Sequence, residues 1–299
     1  MVKRFISANA SEILAMSAEE LKQSIRASEG RVIVSENVAP RESFLGDVTN
    51  AEIARAFGAD LILLNGIDVL DPQVFALDGN PANFVERLHE LVGRPIGVNL
   101  EPVDLNAEAA ETLMEISKGR QANAETLEEI EKLGLEFVCF TGNPGTGVSN
   151  SAIVESVKRA KEKFSGLIIA GKMHGAGVSE PVADATTIQS LVDAGADIIL
   201  VPSVGSVPGF DSDQLKDAVK VAHEAGALVM TAIGTSQEGS SPAVIEQMAI
   251  TNKICGADMQ HIGDAGFGGL APVENIFAMS KAIRGHRHAV SMMAKSVNR

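Results

Sequence analysis

The chain has 299 residues, 45% of them hydrophobic, so it can bury a large core in one barrel-sized domain or two ordinary ones. A net charge of −14 and the absence of Trp and Tyr argue against nucleic-acid binding, since a polyanion would be repelled and base stacking would lack aromatic surfaces. No apolar run approaches the roughly 20 residues that span a bilayer, and the first acidic residues come too early for a signal peptide. We therefore expect a cytoplasmic protein with neither a nucleic-acid nor a membrane partner.

Short apolar runs recur along the chain at intervals of roughly 30 residues, as in an alternating strand and helix pattern. Each run is too short for a typical helix and too continuous for a half-exposed antiparallel strand, so each predicts a buried parallel strand. The runs begin at Arg31, Leu61, Pro95, Phe137, Leu167, Asp197, Leu228 and Asp258.

The segments between these runs carry the signals of helix ends. Ser17 and Glu20 have the spacing of a capping box, and Asp211 and Ser241 stand where two later helices begin. The interval 105–135 is long enough for two helices, broken near 118–119. One device recurs, a glycine that ends a helix and leads straight into a strand. Its copies are Gly58-Ala59-Asp60, Gly195-Ala196-Asp197 and Gly256-Ala257-Asp258.

Eight alternating strand and helix units imply right-handed crossovers, a parallel sheet and closure into a barrel. We predict an α/β fold, a single (β/α)8 TIM barrel domain over residues 1–299. Residues 1–30 form an N-terminal capping segment with a helix, and residues 272–299 form an extended C-terminal helix. An open doubly wound sheet is the alternative, which the absence of a G-x-G-x-x-G pattern after the first strand disfavours.

Polar residues follow the predicted strands at the mouth where a barrel of this kind carries its active site. The loops after the last three strands combine glycines with hydroxyls, a pattern that predicts a phosphate site unless the glycines only make tight turns. The predicted phosphate-binding residues are Gly205, Ser206, Gly234, Thr235, Ser236, Gly263, Gly266 and Gly268. The predicted substrate-binding residues are Asn65, Asn99, Thr141, Asn143 and Asp264.

Lys172 and His174 alternate after the fifth strand, so they share one side of an extended segment. We predict Lys172 as the base or Schiff-base former, with His174 and Glu101 as acid–base partners. Glu36 is a further predicted catalytic residue. A lysine in the mouth either forms an ion pair with Glu36, Glu101 or Asp264, or has a lowered pKa that suits a Schiff base or general base. His174 is an acid–base group, a metal ligand together with Glu36 and Glu101, or a polar residue without catalytic function.

The late Gly-Thr-Ser and Gly-Asp-Ala-Gly loops resemble those of the phosphate-binding barrel superfamily that includes ribulose-phosphate epimerases. The opening SAEELKQSIRASEGRVIVSE and the closing AMSKAIRGHRHAVSMMAKSVNR resemble a bacterial TIM-barrel family. Its members are labelled phosphonomutase-like or haloacid-dehalogenase-like hydrolases. These resemblances imply the barrel fold and a phosphate-binding site at its mouth.

The leading functional hypothesis is an isomerase or epimerase, or an aldolase or lyase, that acts on a small phosphorylated sugar or keto acid. One alternative is a hydrolase or lyase that uses a divalent metal such as Mg²⁺ at Glu36, Glu101 and His174. Another is a non-catalytic phosphosugar sensor or assembly factor. A homo-oligomer formed through the C-terminal helix is the only protein partner that we expect, and the sequence establishes no cofactor.

Overall fold

A computed structural model describes residues 2–104, 106 and 112–299. Eight parallel strands, in chain order, close into a barrel, which confirms the predicted TIM barrel. Each predicted run contains one strand. The strands are β1 (Val32–Val38), β2 (Leu61–Asn65), β3 (Ile96–Leu100), β4 (Phe137–Phe140), β5 (Leu167–Gly171), β6 (Ile198–Pro202), β7 (Leu228–Ile233) and β8 (Met259–Ile262).

Helices surround the barrel and cover its amino-terminal end. They are α1 (Ala10–Leu14), α2 (Ala18–Arg26), α3 (Asn50–Ala56), α4 (Phe84–Val92), α5 (Ala124–Lys132), α6 (Asn150–Lys163), α7 (Ala185–Ala194), α8 (Ser212–Glu224), α9 (Pro242–Ile254) and α10 (Val273–Ala294). None of the helices in the described part of the chain has the length and apolarity needed to cross a membrane.

Both predicted terminal segments are present. Ser17 caps α2 through the reciprocal bonds of a capping box, and Leu21 and Ile25 on α2 join the apolar cluster inside the barrel. The C-terminal α10 is long, but it is broken at Gly285, whose φ of 73° and ψ of 162° are not helical. Of the two helices predicted within 105–135, the described residues contain α5, and the positions 105 and 107–111 lie outside the described residues.

The alternation of side chains along each strand carries polar groups to the mouth. Val32 and Val34 of β1 belong to the cluster inside the barrel, whereas Ile33 packs outward against the helices. Because side chains on a strand alternate between faces, Glu36 also points inward, at the carboxyl end of β1. His261 pairs in register with Val34, so β8 brings it close below Glu36.

Acidic residues at the amino-terminal end tie neighbouring strands together. The glycines that precede three of them adopt left-handed φ values of 115°, 105° and 101°, which ends each helix and turns the chain into the next strand. The carboxylates of Asp60, Asp197 and Asp258 accept backbone N–H bonds of 2.8, 3.1 and 2.9 Å from Ile33, Ile168 and Val229. Glu136 does the same for Ile96 at 2.9 Å. We call these four carboxylates the acid brackets.

Candidate active site

A cavity of about 130 Å³ opens at the carboxyl ends of the strands. Drug-sized ligands occupy pockets of about 300–1,000 Å³, so this cavity suits a small metabolite. Ten of the predicted site residues line this cavity. They are Glu36, Asn99, Thr141, Asn143, His174, Gly234, Thr235, Ser236, Gly263 and Asp264. Asn65 reaches the site through hydrogen bonds rather than as part of the lining.

Glu36 is held in the cavity wall by two buried neighbours. The side-chain amide of Asn99 donates to Oε1 of Glu36, and Nε2 of His261 lies 2.9 Å from Oε2. Since a carboxylate only accepts, both neighbours act as donors in these contacts. His261 has no role in the sequence-based hypothesis, although its place at the end of the eighth predicted strand is a usable signal.

Asp264 also belongs to the cavity wall, where it takes part in a second network. Nδ2 of Asn65 donates to Oδ2 of Asp264 at 2.8 Å and to Oδ1 of Asn143 at 2.9 Å. Burial, and then the negative charge of Glu36, raise the pKa of Asp264 to about 7 from its ordinary value of 3.8. Near neutral pH this carboxyl group therefore exchanges its proton readily, as a general acid–base group must.

Glu101 has a structural place beside the cavity rather than in its wall. Its carboxylate pairs with Arg120 at 2.7 Å and accepts both the backbone N–H and the side-chain amide of Asn143, at 2.9 and 3.0 Å. These bonds satisfy Glu101 and fix the loop after β4. In the structure Glu101 therefore positions Asn143, and its acid–base role stays a prediction.

Lys172 is 1% exposed and forms an ion pair with Glu180, which also accepts the backbone N–H of Asn150 at 2.6 Å. The predicted ion pair of Lys172 with Glu36, Glu101 or Asp264 was wrong. The loop after β5 folds back and supplies the carboxylate of Glu180 instead. Burial lowers the pKa of Lys172, and Glu180 opposes that shift. The ammonium group is thus committed to this ion pair, and Lys172 is not part of the cavity lining.

His174 does line the cavity, and its Nδ1 accepts the backbone N–H of Ala176 at 3.0 Å. In the neutral ring this contact leaves the proton on Nε2. The predicted metal set of Glu36, Glu101 and His174 is not assembled. Within the described ranges, no group of three or more His, Cys, Asp or Glu side chains is arranged to hold a metal ion.

The predicted phosphate loops contribute to the cavity unequally. Gly234, Thr235 and Ser236 line it, and Thr235 and Ser236 have left-handed φ values of 57° and 66°. Such values are unfavourable for residues with a Cβ, so the surrounding structure must hold this turn. Thr235 Oγ1 donates to the carbonyl of Ser206 at 2.9 Å and links the loops after β7 and β6.

The remaining predicted phosphate residues, Gly205, Ser206, Gly266 and Gly268, do not line the cavity. A Cβ on Gly266 would lie 2.0 Å from the backbone oxygen of Leu270, and one on Gly268 would lie 3.0 Å from the backbone nitrogen of Phe44. Tight backbone packing therefore accounts for these two glycines.

Glu238 is a lining residue that sequence reasoning missed. It is 2% exposed, and its Oε1 accepts the backbone N–H of Ala265 at 2.9 Å. A Cβ on Gly263 would lie 2.5 Å from this oxygen, so Gly263 is required for the approach. The backbone N–H of Ala265, in the predicted phosphate loop, is thus already hydrogen-bonded to the carboxylate of Glu238. The signal was a single acidic residue in the polar stretch after the seventh strand.

The family assignment rests on nearly the whole chain. A family model described as "Domain of unknown function (DUF7916)" matches residues 6–299. The chain belongs to this family. No curated protein sequence matches the DUF7916 chain. The family description and the structures named below carry neither the phosphonomutase nor the dehalogenase label.

Solved structures resemble the DUF7916 chain in fold. The carboxyl transferase domain of Rhizobium etli pyruvate carboxylase is 14% identical with a TM-score of 0.52, over 97% of this chain and 52% of that one. The DUF7916 chain thus spans about half the length of that protein. The Amycolatopsis orientalis BexX/CysO complex is 15% identical with a TM-score of 0.50, over 87% and 88% of the two chains. Thiamine phosphate pyrophosphorylase from Pyrococcus furiosus is 12% identical with a TM-score of 0.49, over 86% and 97%. At these identities the likeness to the first two structures concerns the barrel fold alone.

Proposed function

We propose that this barrel is an acid–base enzyme of the isomerase or lyase type that moves protons on a small sugar or keto acid. The observation that carries the proposal is the pair of carboxyl groups in one cavity wall, Glu36 and Asp264. The environment raises the pKa of Asp264 to about 7. A carboxyl group with so raised a pKa can act as the acid while a second carboxyl group in the same cavity acts as the base.

Glu36 serves as the base in this proposal. Asn99 and His261 hold its carboxylate in the wall through one hydrogen bond to each oxygen, so its orientation is fixed before substrate binds. Glu36 takes a proton from the carbon next to a carbonyl group, and protonated Asp264 gives its proton to the carbonyl oxygen. In an isomerase, protonated Glu36 then gives its proton to the former carbonyl carbon of the resulting enediol, and the Asp264 carboxylate takes the proton of the other hydroxyl, which leaves a carbonyl group one carbon along. In a lyase, Glu36 instead takes the proton of the hydroxyl on the β-carbon, the bond between the α- and β-carbons breaks, and protonated Asp264 protonates the former carbonyl oxygen to give the enol.

We assign the far end of the substrate to the loop Gly234-Thr235-Ser236. This loop belongs to the cavity lining, and it lies where barrel enzymes commonly hold a phosphate. The carboxylates of Glu36 and Glu238 would repel a phosphate deep in the cavity, so a phosphorylated substrate would carry that group at the outer rim of this loop.

The test is exchange of carbon-bound protons with solvent deuterium. The protein is incubated in D₂O with small hydroxyaldehydes, hydroxyketones and 2-keto acids, each unmodified, phosphorylated and aminated, and loss of the α-proton signal is followed by proton NMR. We expect exchange with at least one compound, and loss of that exchange by about 10²–10⁴-fold in Glu36→Gln.

Glu224→Gln is the matched control, because Glu224 is exposed at the end of α8, away from the mouth. It should exchange protons at the wild-type rate. The proposal is wrong if no compound in the panel loses its α-proton, or if Glu36→Gln exchanges protons as fast as Glu224→Gln.

A further inference from the structure

Three buried side chains in the cavity wall each leave one polar atom without a hydrogen-bond partner. They are Asn99, Thr141 and Glu238, which are 4%, 3% and 2% exposed. The unpartnered atoms are Oδ1 of Asn99, Oγ1 of Thr141 and Oε2 of Glu238. A buried polar atom that has left water without gaining a new partner destabilises the folded protein. A ligand that completes these bonds would remove that cost.

The neighbours of these atoms decide what the ligand must offer. The amide nitrogen of Asn99 is used by Glu36, so only its oxygen remains. Glu238 already accepts one backbone N–H through Oε1, and the second carboxylate oxygen also only accepts. Thr141 can accept or donate. Two of the three groups therefore call for a ligand that donates hydrogen bonds.

The charge of the wall points the same way. The carboxylates of Glu36 and Glu238 line the cavity, and its lining contains no lysine or arginine. The nearby cations Lys172 and Arg120 are engaged by Glu180 and Glu101. A cavity with this balance favours a positive ligand over an anion. The described residues hold no ligand group suited to a metal ion, whereas an ammonium group brings three donors.

We infer that the substrate of this cavity is a small amino sugar, a hydroxyaldehyde or hydroxyketone whose ammonium group binds at Glu238 and whose hydroxyls meet Asn99 and Thr141. The inference rests on the proposed function in taking this cavity as the substrate site. It adds that the group entering the cavity is an ammonium group. Any phosphate of the substrate would lie at the rim of the cavity.

The test is equilibrium binding, without turnover, of three probes of similar carbon skeleton: 2-amino-1,3-propanediol, glycerol and glycerol 3-phosphate. Calorimetric titrations with EDTA present should give the amine at least about tenfold tighter binding than glycerol, as expected for one charge-assisted hydrogen bond. Glycerol 3-phosphate should bind no tighter than glycerol. Glu238→Gln should abolish the preference for the amine, and Glu224→Gln should retain it.

Thr141→Val provides a second variant that changes shape little. Because the hydroxyl has no partner in the free protein, its removal should leave the melting temperature unchanged or higher while weakening the binding of the amine and of glycerol. The inference is overturned if the amine has no advantage over glycerol, if no probe binds, if glycerol 3-phosphate binds tightest, or if Mg²⁺ displaces the amine in a separate titration without EDTA.

These outcomes are separate from those of the deuterium experiment. Preference for the amine without any proton exchange would support the ligand class and contradict the acid–base function. Proton exchange without that preference would do the reverse.

Discussion

Replacing Asp264 by Asn should stabilise the protein in a manner that depends on pH. Asp264 has a pKa of about 7 in the folded state and an ordinary value of 3.8. In the interval between these values the folded state binds more protons than the unfolded state, so the ionisation of Asp264 lowers stability as pH rises. The full difference of about 3 pKa units corresponds to at most about 4 kcal/mol, reached above pH 7.

Urea unfolding followed by circular dichroism at pH 5 and pH 8 measures this effect. At pH 5 the penalty is roughly 2 kcal/mol, so the advantage of Asp264→Asn should grow by about 2–3 kcal/mol between the two pH values. The amide keeps an oxygen that can accept the bond from Asn65. Asp217→Asn, at an exposed position on α8, is the control. An advantage of the same size at both pH values would refute the reasoning.

Three further changes test the packing and the ion pairs. Gly266→Ala should lower the free energy of unfolding by about 1–3 kcal/mol, because the new Cβ would lie 2.0 Å from a backbone oxygen. In the control Gly239→Ala the new Cβ meets open space, so thermal melts should show little change. Arg284→Met leaves Asp60 buried without its partner and should cost about 3–5 kcal/mol in urea unfolding, part of which Asp60→Asn should restore in the double variant. Lys172→Met should lower the melting temperature but retain proton exchange, and a borohydride-trapped adduct on Lys172 would contradict that expectation.

The barrel could be predicted from the sequence because its signals are local. A buried parallel strand appears as a short apolar run, and the glycine that follows a helix marks the start of the next strand. The strand-end positions of Glu36, Asn99, Thr141 and Asp264 were also sufficient to predict that these residues lie at one mouth of the barrel.

The pairing of charges at that mouth could not be predicted in the same way. Lys172 meets Glu180, and Glu238 reaches the loop after β8, because two connecting loops fold back over the strand ends. The path of such a loop depends on contacts between segments distant in sequence, which no short pattern records. The same limit applies to Gly266 and Gly268. These glycines allow close backbone packing, but in the sequence they cannot be distinguished from the glycines of a phosphate-binding loop.

The acid brackets also divide the barrel into pairs of neighbouring strands. Each stands before an even-numbered strand and binds the start of the odd-numbered strand before it, so the natural unit of this barrel is a pair of strands repeated four times. A backbone cut in the loop after β4 would leave every bracket within one fragment. A cut after β3 would separate Glu136 from Ile96. We therefore expect the two halves made by the first cut, and not the pieces made by the second, to reassemble when mixed.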